Sequence, residues 1–171
     1  MDASDALAAR RQVRDYTDEG VSEADLVVVL DAGRRSASSR NSQRWDFVVV
    51  TDQMKKDGLA ETWQGAGWVP GAPVVLGLIV PTDDDIYVVR SIEYDLGQAV
   101  TSMIIAATSL GLGTGQTACR DQELARSLLG FPAGYLCSKL FTIGHPADRP
   151  MRPLTRVDRR AFDDVVHRER W

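Results

Sequence analysis

Residues 91–110 carry the longest and most apolar helical pattern in the chain, and any fold must be built to bury it. Leu96, Val100, Met103, Ile104 and Ala107 recur at helical spacing. The small residues Gly97, Ala99, Ala106 and Ala107 let another helix come close. Such a helix is either the core helix of a monomer or a subunit interface, and the pattern alone leaves both open. Ahead of it, residues 73–80 form a continuous run of valine, isoleucine and leucine. That run reads as a central strand covered on both faces. A covered strand and a buried helix in 171 residues amount to one domain with a real core.

The first helix is expected over residues 5–13, with Asp2, Ser4 or Asp5 as its cap. It ends in RRQVR, which would put Arg10 and Arg14 one turn apart on one face. Cations there either complement the helix dipole or bind a phosphate through bidentate guanidinium contacts. Ser22 opens a second helix with the S-x-x-D spacing to Asp25. Leu26, Val29, Leu30 and Gly33 share a face, and Val27 and Val28 make this helix apolar nearly all round, so it should be well buried. A strand over residues 46–51 follows. Residues 53–64 are expected as a third helix packed through Met54, Leu59 and Trp63.

Between the second helix and that strand lies ASSRNSQRW, residues 37–45. Ser38, Ser39, Asn41, Ser42 and Gln43 offer hydrogen bonds in both directions with little to bury. This is either a solvated turn or a loop suited to the polar edge of a ligand.

The segment GLGTGQTAC, residues 111–119, invites a dinucleotide reading and fails it. Gln116 stands where the third glycine belongs, and the segment follows a helix rather than a strand. Gly111 reads as a helix C′ residue. The remainder reads as a strand whose glycines admit a planar ligand. Asp121 caps a short helix to Leu129, and residues 138–143 form another strand. From His145 the chain is extended and proline-rich, then ends with Phe162, Val165, Val166 and Trp171. This stretch has no core pattern of its own, so it must lie on its own domain or on a partner. Arg156, Arg159 and Arg160 make it locally basic.

A net charge of -4 argues against sequence-independent nucleic-acid binding. The apolar run at 72–80 is too short to cross a bilayer. Cys119 and Cys137, without CxxC spacing, read as buried thiols of a reducing cytoplasm. His145 and His167 fit no metal spacing.

Taken in order, RRQVRDYTD, the SEADL helix, ASSRNSQRWDFVVVTD, APVVLGLIV, YDLGQAVTSMIIAATSLGLGTG, GFPAGY and DDVVHRERW resemble the FMN-dependent nitroreductase family over nearly the whole chain. The resemblance implies an α+β fold, a mixed and mostly antiparallel sheet flanked by helices. It implies one domain over 1–171, a homodimer, and a C-terminal arm of about 147–171 exchanged between subunits. Residues 91–110 then become the dimer helix.

The resemblance places Arg10, Arg11, Gln12 and Arg14 on FMN, with Arg10 toward the phosphate or ribityl and Arg14 by the pyrimidine edge. Ser38, Ser39 and Asn41 would come from the second subunit. Gln116, Thr117, Ala118 and Cys119 would line the ring, with Gln64 at its edge. Arg160, helped by Arg159, would close on the phosphate. No catalytic side chain and no metal are implied, since the flavin carries the chemistry. The activity implied is NAD(P)H-dependent reduction of nitroaromatic, quinone or related small acceptors by a ping-pong hydride mechanism. The alternatives are an FMN-dependent oxidase or dehydrogenase of a biosynthetic pathway, and a degenerate flavin-binding dimer.

Three departures stand out. Ala37 and Arg44 replace the family's usual prolines, which should loosen the polar loop and set a charge at the substrate mouth. Gln12 stands where serine is commoner. The short link from Val80 to Ser91 leaves no room for the helical cap of larger relatives, so the site should be open.

Overall fold

The computed structural model describes residues 1–155 and 158–171. Arg156, part of the basic stretch noted above, lies outside the described residues. Among the described residues four strands form one sheet: β1 (Asp46–Val50), β2 (Val74–Pro81), β3 (Gly113–Ala118) and β4 (Tyr135–Gly144). Their order is β1-β2-β4-β3, and every neighbouring pair is antiparallel. A lone parallel bridge from Gln12 to Thr114 makes the sheet mixed. Five helices flank it: α1 (Ala3–Ala9), α2 (Glu23–Arg34), α3 (Gln53–Ala60), α4 (Ile86–Ser109) and α5 (Gln122–Leu129). This is the expected α+β fold.

The sheet is covered on both faces because side chains alternate along β2. Val74, Leu76, Leu78 and Val80 pack with Leu26 and Val29 of α2 and Leu96, Val100 and Met103 of α4. Val75 and Ile79 face the other way, onto Leu59 of α3 and Ala125 at α5. β2 is buried from Val74 to Val80, as the apolar run required.

Local signals set several boundaries. The Ser22 hydroxyl accepts from the Asp25 N–H at 3.1 Å and donates to the Asp25 carboxylate at 2.7 Å. Asp121 accepts from the Leu124 N–H at 2.9 Å. Gly111 takes φ 81 just past α4, the left-handed stop that glycine allows.

Elsewhere packing overrides the pattern. The first helix ends at Ala9, not at residue 13, and residues 10–16 run extended along the outer edge of β3. The Val13 N–H donates to the Thr114 carbonyl at 2.8 Å. A sheet edge offers this segment backbone partners that another helical turn could not combine with burying Val13 and Tyr16. Arg10 and Arg14 are therefore not on one helix face. The third helix stops at Ala60, and Met54 is 82% exposed rather than packed. Only one stripe of α2 meets α4. Val27 and Val28 stay exposed instead of buried, and Val27 lines an open groove of about 470 Å³ with Leu30, Trp45 and Phe47. α4 starts five residues before the expected 91, at Ile86, where the Asp85 carboxylate accepts from the Tyr87 N–H.

Residues 145–154 fold back on their own chain. His145 accepts from the Thr17 N–H, Ala147 donates to the Asp15 carbonyl, and Leu154 donates to the Ala8 carbonyl. Beyond them Phe162, Val165, Val166 and Trp171 are exposed, Trp171 at 97%.

Candidate functional site

The extended segment 10–16 is the first wall of the site. It is pinned from both sides. The Gln12 side-chain amide donates to the Gln116 carbonyl at 2.9 Å. The Tyr16 hydroxyl donates to the Val13 carbonyl at 2.9 Å and lies 2.6 Å from the Thr142 hydroxyl. Burial pushes the Tyr16 phenol well above its ordinary range, so it stays a neutral donor. Gly115 lies beneath the segment, and a Cβ there would sit 2.3 Å from the Val13 carbonyl oxygen and 2.6 Å from the Trp68 ring. The close approach of segment 10–16, Trp68 and β3 depends on that missing carbon.

Between this wall and β3 opens a cleft of about 330 Å³. Arg10, Gln12, Gln116 and Arg159 supply its polar groups, and Ile104 and Phe141 supply an apolar floor. A second hollow of about 300 Å³, lined by Arg14 and Asp15, adjoins it through Arg11 and Gln12. Among the described residues no carboxylate pairs with Arg10, Arg14 or Arg159. Arg14 instead stands over the Trp68 ring, 5.7 Å from its centroid. Unneutralised guanidiniums beside an apolar floor suit a ligand with an anionic end and a flat apolar body.

Arg11 is turned differently. Its guanidinium donates to Asp148 at 2.6 Å and to the Arg149 carbonyl at 2.8 Å. The Arg11 charge holds the Asp148 carboxyl below its ordinary range. This residue fastens the start of the C-terminal segment to the first wall.

The other expected residues fall in three places. Thr117 and Ala118 continue along β3 past the cleft lining, and Cys119, just beyond the strand, is buried toward α5. Gln64 is exposed in the turn after α3. Arg160 donates to the Asp164 carbonyl in a local turn, so of the two tail arginines it is Arg159 that reaches the cleft.

Ser38, Ser39 and Asn41 sit on the loop between α2 and β1, away from the cleft within one chain. Ser39 lines a separate pocket of about 330 Å³ with Arg40, Arg44, Tyr87 and Ser91. Arg40, Asn41 and Gln43 all have positive φ, at 54, 55 and 48. Three strained residues in four persist only where the surroundings hold them. Part of that hold is Asp95, a carboxylate only 2% exposed on α4. It accepts from the Ser39 N–H at 3.0 Å and faces Arg44 at 3.7 Å. Arg44 also donates to the Ser91 hydroxyl at 3.0 Å. The charge at position 44 thus turns onto α4 and ties the loop down, where a charge at the substrate mouth and a looser loop were expected. Asp95 is the residue that sequence reasoning missed. Its signal was present, since it shares the buried stripe with Ile92 and Ala99, three and four residues away.

Among the described residues no cluster of metal-ligating side chains occurs, and no helix is long and apolar enough to cross a membrane.

The family model described as "Nitroreductase family" matches residues 7–76, the stretch that holds segment 10–16 and the strained loop. A Methanothermobacter thermautotrophicus protein assigned as an NADH dehydrogenase/NAD(P)H nitroreductase is 30% identical across all of this chain and 88% of its own. An FMN reductase [NAD(P)H] of Bacillus subtilis is 31% identical over 84% of this chain and 66% of its own. Among solved structures, Bacillus megaterium NfrA2 superposes with TM-score 0.88 at 27% identity, covering 100% of this chain and 76% of that one.

Proposed function

Because the chain belongs to the nitroreductase family, we propose that it is an NAD(P)H-dependent FMN oxidoreductase working from the cleft between segment 10–16 and β3. The observation that carries this is the cleft itself: the guanidiniums of Arg10 and Arg159, which pair with no carboxylate among the described residues, beside apolar Ile104 and Phe141. That donor set fits a flavin mononucleotide, which has one dianionic end and one flat apolar end. Held there by Arg10, Arg14 and Arg159, FMN would supply hydride transfer between NAD(P)H and a nitroaromatic, quinone or related small acceptor in alternating half-reactions.

The chain's own residues do the rest. Arg10 and Arg159 hold the phosphate. Arg14, steadied on Trp68, presents a fixed cation where electron-rich pyrimidine oxygens need one. Gln12 clamps Gln116, so the Gln116 backbone would keep its position beside the ring. Ser38, Ser39 and Asn41 reach the ligand from a second copy of the chain, and Gln64 borders it. The exposed groove of α4 around Tyr94, Gly97 and Thr101 supports a homodimer seated there, with the apolar tail crossing to the partner. The Asp95 anchor favours a working loop over a degenerate one. Two free cysteines suit a cytoplasmic setting.

The test is a visible absorption spectrum of the protein loaded with FMN, taken anaerobically before and after NADH or NADPH. Flavin bands that bleach support the reading. Bands that persist point to an oxidase or dehydrogenase, and a protein that takes up no FMN refutes the site. Arg10→Ala should lose FMN on gel filtration while melting like the wild type.

A further inference from the structure

Cys119 follows β3 directly and Cys137 is the third residue of β4, and neither belongs to the cleft lining. In simple register Ala118 faces Lys139, so Cys119 would meet Ser138 and Cys137 would point to the other side of the sheet. The register of β4 against β2 skips Ser138, with Leu78 opposite Lys139 and Ile79 opposite Cys137. This one-residue bulge turns Cys137 onto the same buried face as Cys119 and Leu140. The Gln122 amide then locks the pair. Its Nε2 donates to the Cys119 carbonyl at 2.9 Å and the Cys137 carbonyl at 3.0 Å, while its Oε1 accepts from the Cys137 N–H at 2.8 Å. Two carbonyl oxygens sharing one N–H₂ group lie within about 6 Å of each other, so the two backbones run side by side at the cysteines.

Both thiols are buried in the same cluster, with Leu140 and Ala125 around them. The neighbouring Cys137 outweighs burial and holds the Cys119 thiol down at about 7, with Asp121 opposing. Cys119 and burial push the Cys137 thiol up. Its proton has an acceptor in the Lys139 carbonyl, at 3.4 Å. One cysteine is thus prepared as a nucleophile and the other kept protonated as its resolving partner.

We propose that Cys119 and Cys137 form a redox-active pair that hydrogen peroxide converts into an intramolecular disulfide and a dithiol reductant reopens. The Cys119 thiolate attacks one peroxide oxygen, breaking the O–O bond to give a sulfenic acid and hydroxide. The Cys137 sulfur displaces the sulfenic hydroxyl, and the Cys137 proton leaves with it as water. Overall, two thiols and one peroxide become one disulfide and two waters. A dithiol reverses this by exchange, itself becoming a disulfide. The bond would tie the end of β3 to β4 next to Arg120, which stacks over Trp63 at 4.8 Å. The pair is independent of what the cleft binds.

The experiment uses the full-length protein, reduced and freed of reductant, then exposed to hydrogen peroxide under native conditions. We expect loss of both titratable thiols, a mass lower by two hydrogens, a cross-linked peptide joining Cys119 to Cys137, and recovery with dithiothreitol. Cys137→Ser should instead collect oxygen at Cys119 with no cross-link. Gln122→Ala should slow cross-linking while leaving both thiols present. Added oxygen without a cross-link in the wild type overturns the proposal, as do disulfides between chains or thiols that survive peroxide.

Discussion

The most exacting prediction concerns Gly115→Ala. The new Cβ would lie 2.3 Å from the Val13 carbonyl oxygen and 2.6–2.7 Å from two carbons of Trp68. Ordinary contact begins near ~3.5 Å, so segment 10–16 must retreat by about 1 Å. That stretches the Val13 N–H to Thr114 bond from 2.8 Å beyond bonding range. Val13 is buried, so an N–H without a partner there costs about 1–3 kcal/mol. Overpacking adds about 1–3 kcal/mol. Replacing glycine by alanine returns roughly 0.4–1 kcal/mol through the unfolded chain. The net is about 3 kcal/mol, a fall in melting temperature of roughly 6–12 °C for a chain this long. Thermal unfolding followed by circular dichroism and by tryptophan emission reads it, because Trp68 must move too. Gly67→Ala is the control, since a Cβ there meets nothing within 4 Å. If Gly115→Ala melts within about 2 °C of Gly67→Ala, the account of the close approach is wrong.

Three further outcomes are expected. Arg44→Ala should destabilise by about 2–4 kcal/mol in chemical denaturation, because it leaves the buried Asp95 facing no cation, and Asp95→Asn in the same background should recover part of the loss. Gly97→Ala fills open space on α4 and should be neutral or slightly stabilising in a monomer. Gly97→Leu should shift sedimentation toward monomer if a second copy packs there, and an unchanged sedimentation profile would count against that packing. The Asp148 carboxyl is held low by Arg11, so its tether is present above the ordinary aspartate range and is lost as pH falls through the lowered value. Limited proteolysis near residues 145–154 should therefore accelerate only at strongly acidic pH, and Arg11→Ala should abolish that acid dependence.

What the sequence disclosed followed the strength of local signals. The run at 74–80 has no other use than a covered strand, and the caps at Ser22 and Asp121 act through neighbours three residues away. Segment 10–16 was illegible as strand-like backbone because its partners, Thr114 and Ala147, are more than a hundred residues distant. The arginines of the cleft could be named from their motif. Their division of labour, with Arg11 on Asp148 and Arg159 rather than Arg160 at the cleft, depends on where the tail folds back. Asp95 was overlooked because its helix was read for apolar residues only. The thiol pair depends on a bulge at Ser138, and a one-residue slip in register leaves no mark on composition or periodicity.

The order β1-β2-β4-β3 also has a bearing on synthesis. β2, the most apolar strand, can pair with β1 as soon as the two leave the ribosome, but its other edge waits for β4, which begins at Tyr135. At roughly 5–20 residues per second that wait lasts several seconds. During it the nascent hairpin offers a free apolar edge to any other strand. The growing chain is therefore most in need of a holding chaperone after residue 81 has emerged and before residue 144 has, and a stalled product ending in α4 should aggregate more readily than one ending past β4.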